Sequence, residues 1–115
     1  MNLKFGAMKL YYVTLNNSDE AQHISRVLLE KQLAVCVNWF PITCAYRWEG
    51  EIIQEPEIAF LLKTQAGLRT EIEQLIREHI SYTNFIAELS PSYVNQSFLV
   101  WLNQEVPAQS LQTGG

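Results

Sequence analysis

The order of predicted elements, β-α-β-β-α-β followed by a C-terminal helix, is that of a split-βαβ, ferredoxin-like α+β fold. Three observations carry it. Apolar residues recur at helical spacing in two stretches, Ala21, Ile24, Val27, Leu28 and then Leu68, Ile72, Leu75, Ile76. Two long runs rich in β-branched and aromatic residues meet at Glu49-Gly50-Glu51, where the glycine permits a tight turn. A further short strand-like run, FIAEL at 85–89, follows the second helix. Such a fold has an antiparallel sheet with both main helices on one face. The other face is bare in a monomer, and several hundred Å2 of exposed apolar sheet marks an interaction site. The hairpin arms exceed the usual strand of about 5–6 residues, so they project beyond the domain's own sheet. Together these features predict an obligate homo-oligomer of cyclic symmetry.

The elements follow in order. Residues 8–15, MKLYYVTL, form a near-continuous apolar run ending at Asn16-Asn17-Ser18-Asp19, as expected of a central strand. Asn17 or Ser18 caps the first helix, and Asp19 and Glu20 complement the positive end of its dipole. His23, Arg26, Glu30 and Lys31 mark its solvent side, and His23 reads as a solvated residue. In the arms, Pro41 cannot donate to a ladder and so marks an edge, a bend or a bulge, and Pro56 interrupts the return arm. The pair predicts a long twisted hairpin whose outer part leaves the main sheet. The second helix is predicted over 70–78, a loop over 79–84, and a last helix opening at Pro91 and Ser92.

The 115 residues suit one domain, expected over 8–104 with flexible termini at 1–7 and 105–115. A formal charge of −4 argues against a nucleic-acid partner, whose phosphates require Lys and Arg. No apolar run reaches the ~20 residues that span a bilayer. The segment MNLKFGAMKLYYV lacks the layout of a secretion signal, because Lys9 interrupts its apolar stretch. A cytoplasmic protein is expected. Cys36 and Cys44 lie on one arm, roughly 26 Å apart at strand rise, beyond disulfide reach of about 7 Å.

The chain also resembles a known family. The run Glu30-Lys31-Gln32-Leu33-Ala34-Val35-Cys36-Val37-Asn38 resembles the E-K-x-L-A-A-C-V-N segment of the CutA1 family of divalent-cation tolerance proteins. Pro41, Ile42, Thr43, Tyr46, Trp48, Glu49 and Gly50 are similar to its P-x-I-T-S-x-Y-x-W-x-G hairpin. Glu55, Glu57, Lys63 and Thr64 match its second arm, and Trp101-Leu102 its C-terminal helix. His79 and Tyr82 echo its H-P-Y-E-x-P-E-I loop, although Thr83 stands where that loop has glutamate, and Phe85 and Ile86 where it has proline and glutamate. The resemblance implies a homotrimer in which each hairpin embraces a neighbour, as in the PII signalling proteins. It also implies a role in tolerance of copper or another divalent cation.

Two kinds of chemistry can be set on these residues. A cation site would use Cys36, His79, Glu57 and Glu88, since thiolate and imidazole suit copper or zinc. A pocket at the subunit interface would use Trp39, Tyr46, Trp48 and Tyr82 as an aromatic wall, with Lys63 holding an anionic ligand. That pocket belongs to the alternative reading, a PII-like signalling or scaffold trimer that binds a small ligand or partner protein without metal. No nucleophile elbow, P-loop or HExxH pattern points to an enzyme.

Overall fold

The hairpin dominates the architecture. In the computed structural model, which describes residues 7–107, the elements are β1 Met8–Leu15, α1 Ser18–Glu30, β2 Cys36–Trp48, β3 Glu51–Gln65, α2 Arg69–His79, β4 Ile86–Leu89 and α3 Gln96–Glu105. The sheet order is β2-β3-β1-β4, antiparallel at every junction. This is the ferredoxin-like order predicted from the sequence, with β1 and β3 at the centre.

The period-2 rule sorts the sheet's faces. Tyr11, Val13 and Leu15 of β1 and Ile58, Phe60 and Leu62 of β3 are buried. They pack with Ile24 and Leu28 of α1 and Ile72, Leu75 and Ile76 of α2 in one core. The alternate residues Leu10, Tyr12 and Leu61 point the other way and are only half-buried. The C-terminal helix reaches that side at one end of β3. Gln65 donates from Nε2 to Asn103 Oδ1 and to the Val106 carbonyl, both at 2.9 Å.

Local chemistry sets the boundaries. Asn17 caps α1, its Oδ1 accepting from the Glu20 N–H at 2.9 Å. The helix ends in a Schellman motif, with Leu33 N–H bonded to Leu28 O and Gln32 N–H to Leu29 O. Gln32 takes the left-handed position of that motif at φ 56°. At the hairpin tip Glu49 (φ 50°) and Gly50 (φ 84°) both have positive φ, the signature of a two-residue type I′ turn.

Register explains the two prolines. β2 and β3 pair without interruption from Cys36↔Lys63 to Trp48↔Glu51. A two-residue turn makes Trp48↔Glu51 a hydrogen-bonded pair, and such pairs alternate with non-bonded ones. Pro41↔Ile58 and Thr43↔Pro56 both fall in non-bonded pairs. Each proline's nitrogen therefore faces away from its partner strand. Pro41 lies on the edge strand, and Pro56 lies beyond Ile58, where β1 stops pairing. Of the edge, bend or bulge expected at Pro41, the structure takes the edge.

Seven β2–β3 pairs, from Ile42↔Glu57 to Trp48↔Glu51, extend past the end of β1. At about 3.4 Å per residue the free arm projects ~23 Å, in a molecule measuring 54 × 30 × 25 Å.

Two expectations are corrected. The last helix does not open at Pro91 and Ser92 but at Gln96, and Tyr93 is exposed in the preceding segment. Asn95, at extended φ, ψ, occupies the N-cap position instead. The expected boundary at 104 cuts α3 short, because Glu105 is helical and Val106 is buried in the core. The remainder of the flexible termini expected from the sequence, 1–6 and 108–115, lies outside the described residues.

Candidate functional site

The residues singled out from the sequence fall into four separate neighbourhoods. The first is the uncovered sheet face. Cys36 and Lys63 are cross-strand partners there, with Lys63 Nζ 3.7 Å from Cys36 Sγ. The same ammonium lies 5.8 Å from the Phe98 ring centroid, and Phe98 meets Trp101 edge-on at 5.4 Å. Lys63 is half-buried and makes no salt bridge among the described residues.

The second is the arm. Tyr46 donates to Glu55 Oε2 at 2.5 Å, and this bond pushes the phenol up to about 12. Cys44 is paired with Glu55. Partial desolvation, followed by the charge of Glu57 and Glu55, pushes the Cys44 thiol up and disfavours the thiolate. Trp48 and Ile52 are exposed, at 61 % and 75 %, and Trp39 is partly exposed below the arm, opposite Phe60.

The third is Glu88 on β4. Its Oε2 accepts from Tyr11 at 2.7 Å and its Oε1 from Arg69 at 2.7 Å. The Tyr11 bond, helped by Arg69, holds this carboxyl below the usual carboxylate range, while burial and Glu88 push the Tyr11 phenol up. Both carboxylate oxygens are thus engaged in joining β4, β1 and the start of α2.

The fourth is the end of the helix layer. Tyr82 donates to Glu20 Oε1 at 2.6 Å and accepts from the Asn16 N–H at 2.9 Å, locking the loop after α2 onto the cap of α1. Burial, then the Glu20 bond, raises its phenol. His79, in the last turn of α2, meets His23 of α1 with ring centroids 5.1 Å apart. His23 is exposed, as expected of a solvated residue. The period of α1 gave no hint of a partner on another helix.

The four nominated cation ligands therefore do not converge within one protomer. Cys36 sits beside a lysine ammonium on the sheet face, Glu57 on the arm, Glu88 in its own network and His79 among the helices. Among the described residues, no group of three or more His, Cys, Asp or Glu is placed to hold a metal ion. The aromatic set divides as well, with Tyr82 remote in role from Trp39, Tyr46 and Trp48 on the hairpin. Sequence reasoning passed over Tyr11, whose hydroxyl is buried against Glu88. A tyrosine inside an apolar run was the available signal, because a buried hydroxyl requires a partner.

The family model for the CutA1 divalent ion tolerance protein matches residues 9–105. The chain belongs to the CutA1 family. A divalent-cation tolerance protein CutA from Thermotoga maritima is 38 % identical over 100 residues, covering 86 % of this chain and 99 % of that one. The solved structure of the periplasmic divalent cation tolerance protein CutA from Archaeoglobus fulgidus superposes with a TM-score of 0.82 at 34 % identity, covering 86 % and 98 % of the two chains. That of CutA1 from Ehrlichia chaffeensis gives 0.84 at 33 %, covering 90 % and 98 %. This CutA1 chain shares their fold over the residues covered. Among its described residues no helix is long and apolar enough to cross a membrane.

Proposed function

We propose that the protein serves divalent-cation tolerance as a self-associated binding protein, a homotrimer whose protomers clasp one another through the arms, rather than as an enzyme. The observation that carries this reading is the free arm together with the uncovered sheet face. Phe40, Trp48, Ile52 and Leu89 leave apolar surface in water across the two. Trp48, at 61 % exposure, offers about 150 Å2 per protomer, or ~3–4 kcal/mol if buried at about 25 cal/mol/Å2. A neighbour's sheet is a fitting cover, since the same chain supplies both the arm and the bare face. A cation site that uses Cys36, Glu57 or Glu88, or His79 from another subunit, would have to be completed across such an interface. Cytoplasmic residence fits two thiols that are free rather than paired.

Native mass spectrometry of metal-free protein, with a dilution series, tests the assembly. A trimer that dissociates at higher concentration in Trp48→Ala than in the parent is the expected result. A monomer, or a trimer indifferent to that change, would refute it.

One observation favours a second occupant of the same interface. Lys63 presents a half-buried ammonium beside Cys36 and Phe98 with no counter-charge among the described residues. An anionic small ligand or a partner's carboxylate would satisfy it, with Trp39, Tyr46 and Trp48 of a neighbouring arm as the apolar wall. In this PII-like form the trimer signals without metal. Weakened binding of a fluorescent organic anion in Lys63→Met, with the trimer intact, is its signature.

A further inference from the structure

We propose that Cys36 is a redox modification site for hydrogen peroxide, at which Lys63 captures the oxygen of a cysteine sulfenic acid. The site goes beyond the cation-tolerance reading. It needs no metal and shares no residue with the free arm.

The cysteine is one half of a cross-strand pair. Cys36 and Lys63 face each other across β2 and β3, and the ammonium donates to the sulfur with Nζ 3.7 Å from Sγ. Lys63 makes no salt bridge among the described residues. Its ammonium also lies 5.8 Å from the Phe98 ring centroid, and Trp101 meets that ring edge-on at 5.4 Å. The cation is thus set between an aromatic pair and a thiol, with no carboxylate to occupy it.

The spacing leaves room for one oxygen atom. An S–O bond of ~1.6 Å and a charge-assisted N–H···O contact of about 2.8 Å, meeting at a bent oxygen, span about 3.7 Å. The observed separation is the same, so Lys63 holds the oxidised sulfur without a shift of either strand.

Cys44 supplies the contrast within β2. Both thiols are free and half-buried, so exposure does not separate them. Their charged neighbours do. The thiolate is the form that attacks peroxide, and a neighbouring ammonium favours it while carboxylates oppose it. Cys44 sits opposite Glu55, and partial desolvation, then Glu57 and Glu55, pushes its thiol up.

The reaction is a two-electron transfer. The Cys36 sulfur attacks one oxygen of H2O2, the S–O bond forms as the O–O bond breaks, and the departing hydroxide leaves as water with the thiol's proton. Sulfur loses two electrons and the peroxide gains them. A sulfenic acid ordinarily condenses with a second thiol. Cys44 lies too far along the same strand for that, so the product stays at Cys36 with Lys63 as its partner. Two equivalents of an added thiol return the cysteine, giving their own disulfide and water.

The test treats reduced, metal-free full-length protein with a few equivalents of hydrogen peroxide and removes the excess with catalase. The protein is then unfolded in guanidinium containing dimedone, so that both cysteines meet the trap equally. Peptide mass spectrometry locates the adduct, and native mass spectrometry records the assembly before unfolding. An adduct at Cys36 about fivefold or more above that at Cys44, lost when dithiothreitol precedes the trap, is the expected result. Lys63→Met should cut the Cys36 adduct about fivefold and Lys63→Arg should retain it, with circular dichroism checking both folds. Equal adducts at the two cysteines, none at Cys36, a Cys36 adduct unchanged in Lys63→Met, or a loss in Lys63→Arg equal to that in Lys63→Met overturns the site. Should Lys63→Met not fold, the parent decides: its preference for Cys36 must vanish when peroxide is added after unfolding, and a preference that persists overturns the site. A trimer without the Cys36 adduct sinks the redox site alone. A monomer that carries it supports the site and removes the assembly reading.

Discussion

Replacing Glu88 by alanine should cost far more than removing a surface carboxylate. Tyr11 is fully buried, and its hydroxyl has Glu88 Oε2 as its acceptor at 2.7 Å. Leaving that hydroxyl without a partner costs ~1–3 kcal/mol. The Arg69 bridge adds little, since the arginine side chain is 68 % exposed and its charge is screened by water. Glu88→Ala should therefore lose ~1–3 kcal/mol. Tyr11→Phe removes the donor but leaves Glu88 paired with Arg69, and should lose about 1 kcal/mol. The double variant should lose less than the sum, with a coupling of ~1–2 kcal/mol, because the orphaned group is then absent. Guanidinium unfolding gives these values if every variant is compared at one protomer concentration, since self-association adds to apparent stability. A loss below about 0.5 kcal/mol in Glu88→Ala, or additive single changes, would refute the buried-network assignment and return Glu88 to the pool of free carboxylates.

Two further outcomes follow from the same structure. The folded pKa of Glu88 lies below its ordinary value, so its contribution is complete above the unfolded value near ~4.3 and is lost as pH falls through the folded one. Acid titration should therefore narrow the stability gap between the parent and Glu88→Gln, and a gap that widens on acidification contradicts the assigned direction. At the hairpin tip, an added Cβ on Gly50 would meet nothing within 4 Å, yet φ is 84°. Gly50→Ala should cost about 1 kcal/mol from backbone strain alone, and Glu49→Gly, at φ 50°, should recover some tenths of that in thermal melts.

Much of the fold was legible because local signals agreed with it. Asn17 and the acidic residues after it mark the start of α1, and the cap bond to Glu20 is the one that pattern predicts. Gly50 located the turn, and the β-branched arms located both strands. The start of α3 was misread because an apolar run after Pro91 looks helical. Asn95 and the exposed Tyr93 show that the chain stays extended for several residues more. The candidate site was much less legible. Cys36 and His79 were nominated as individual residue types, and no periodicity along one element reports what another element brings alongside.

The sequence by itself determined the element order, the sheet's apolar face and the long arm, because each depends on residues near one another in the chain. Alternation along β1 and β3 fixes which side chains turn inward, and two-residue spacing at Glu49-Gly50 fixes the register of all thirteen β2–β3 pairs. Tertiary structure alone decided which polar groups meet. Tyr11 and Glu88 are 77 residues apart in sequence, and Tyr82 and Glu20 are 62 apart. His23 and His79 come together only because α1 and α2 lie side by side on one face of the sheet. Hydrogen bonds and metal sites are contacts of a few ångströms between distant segments, so their partners become visible only once packing has set the helices and strands in place.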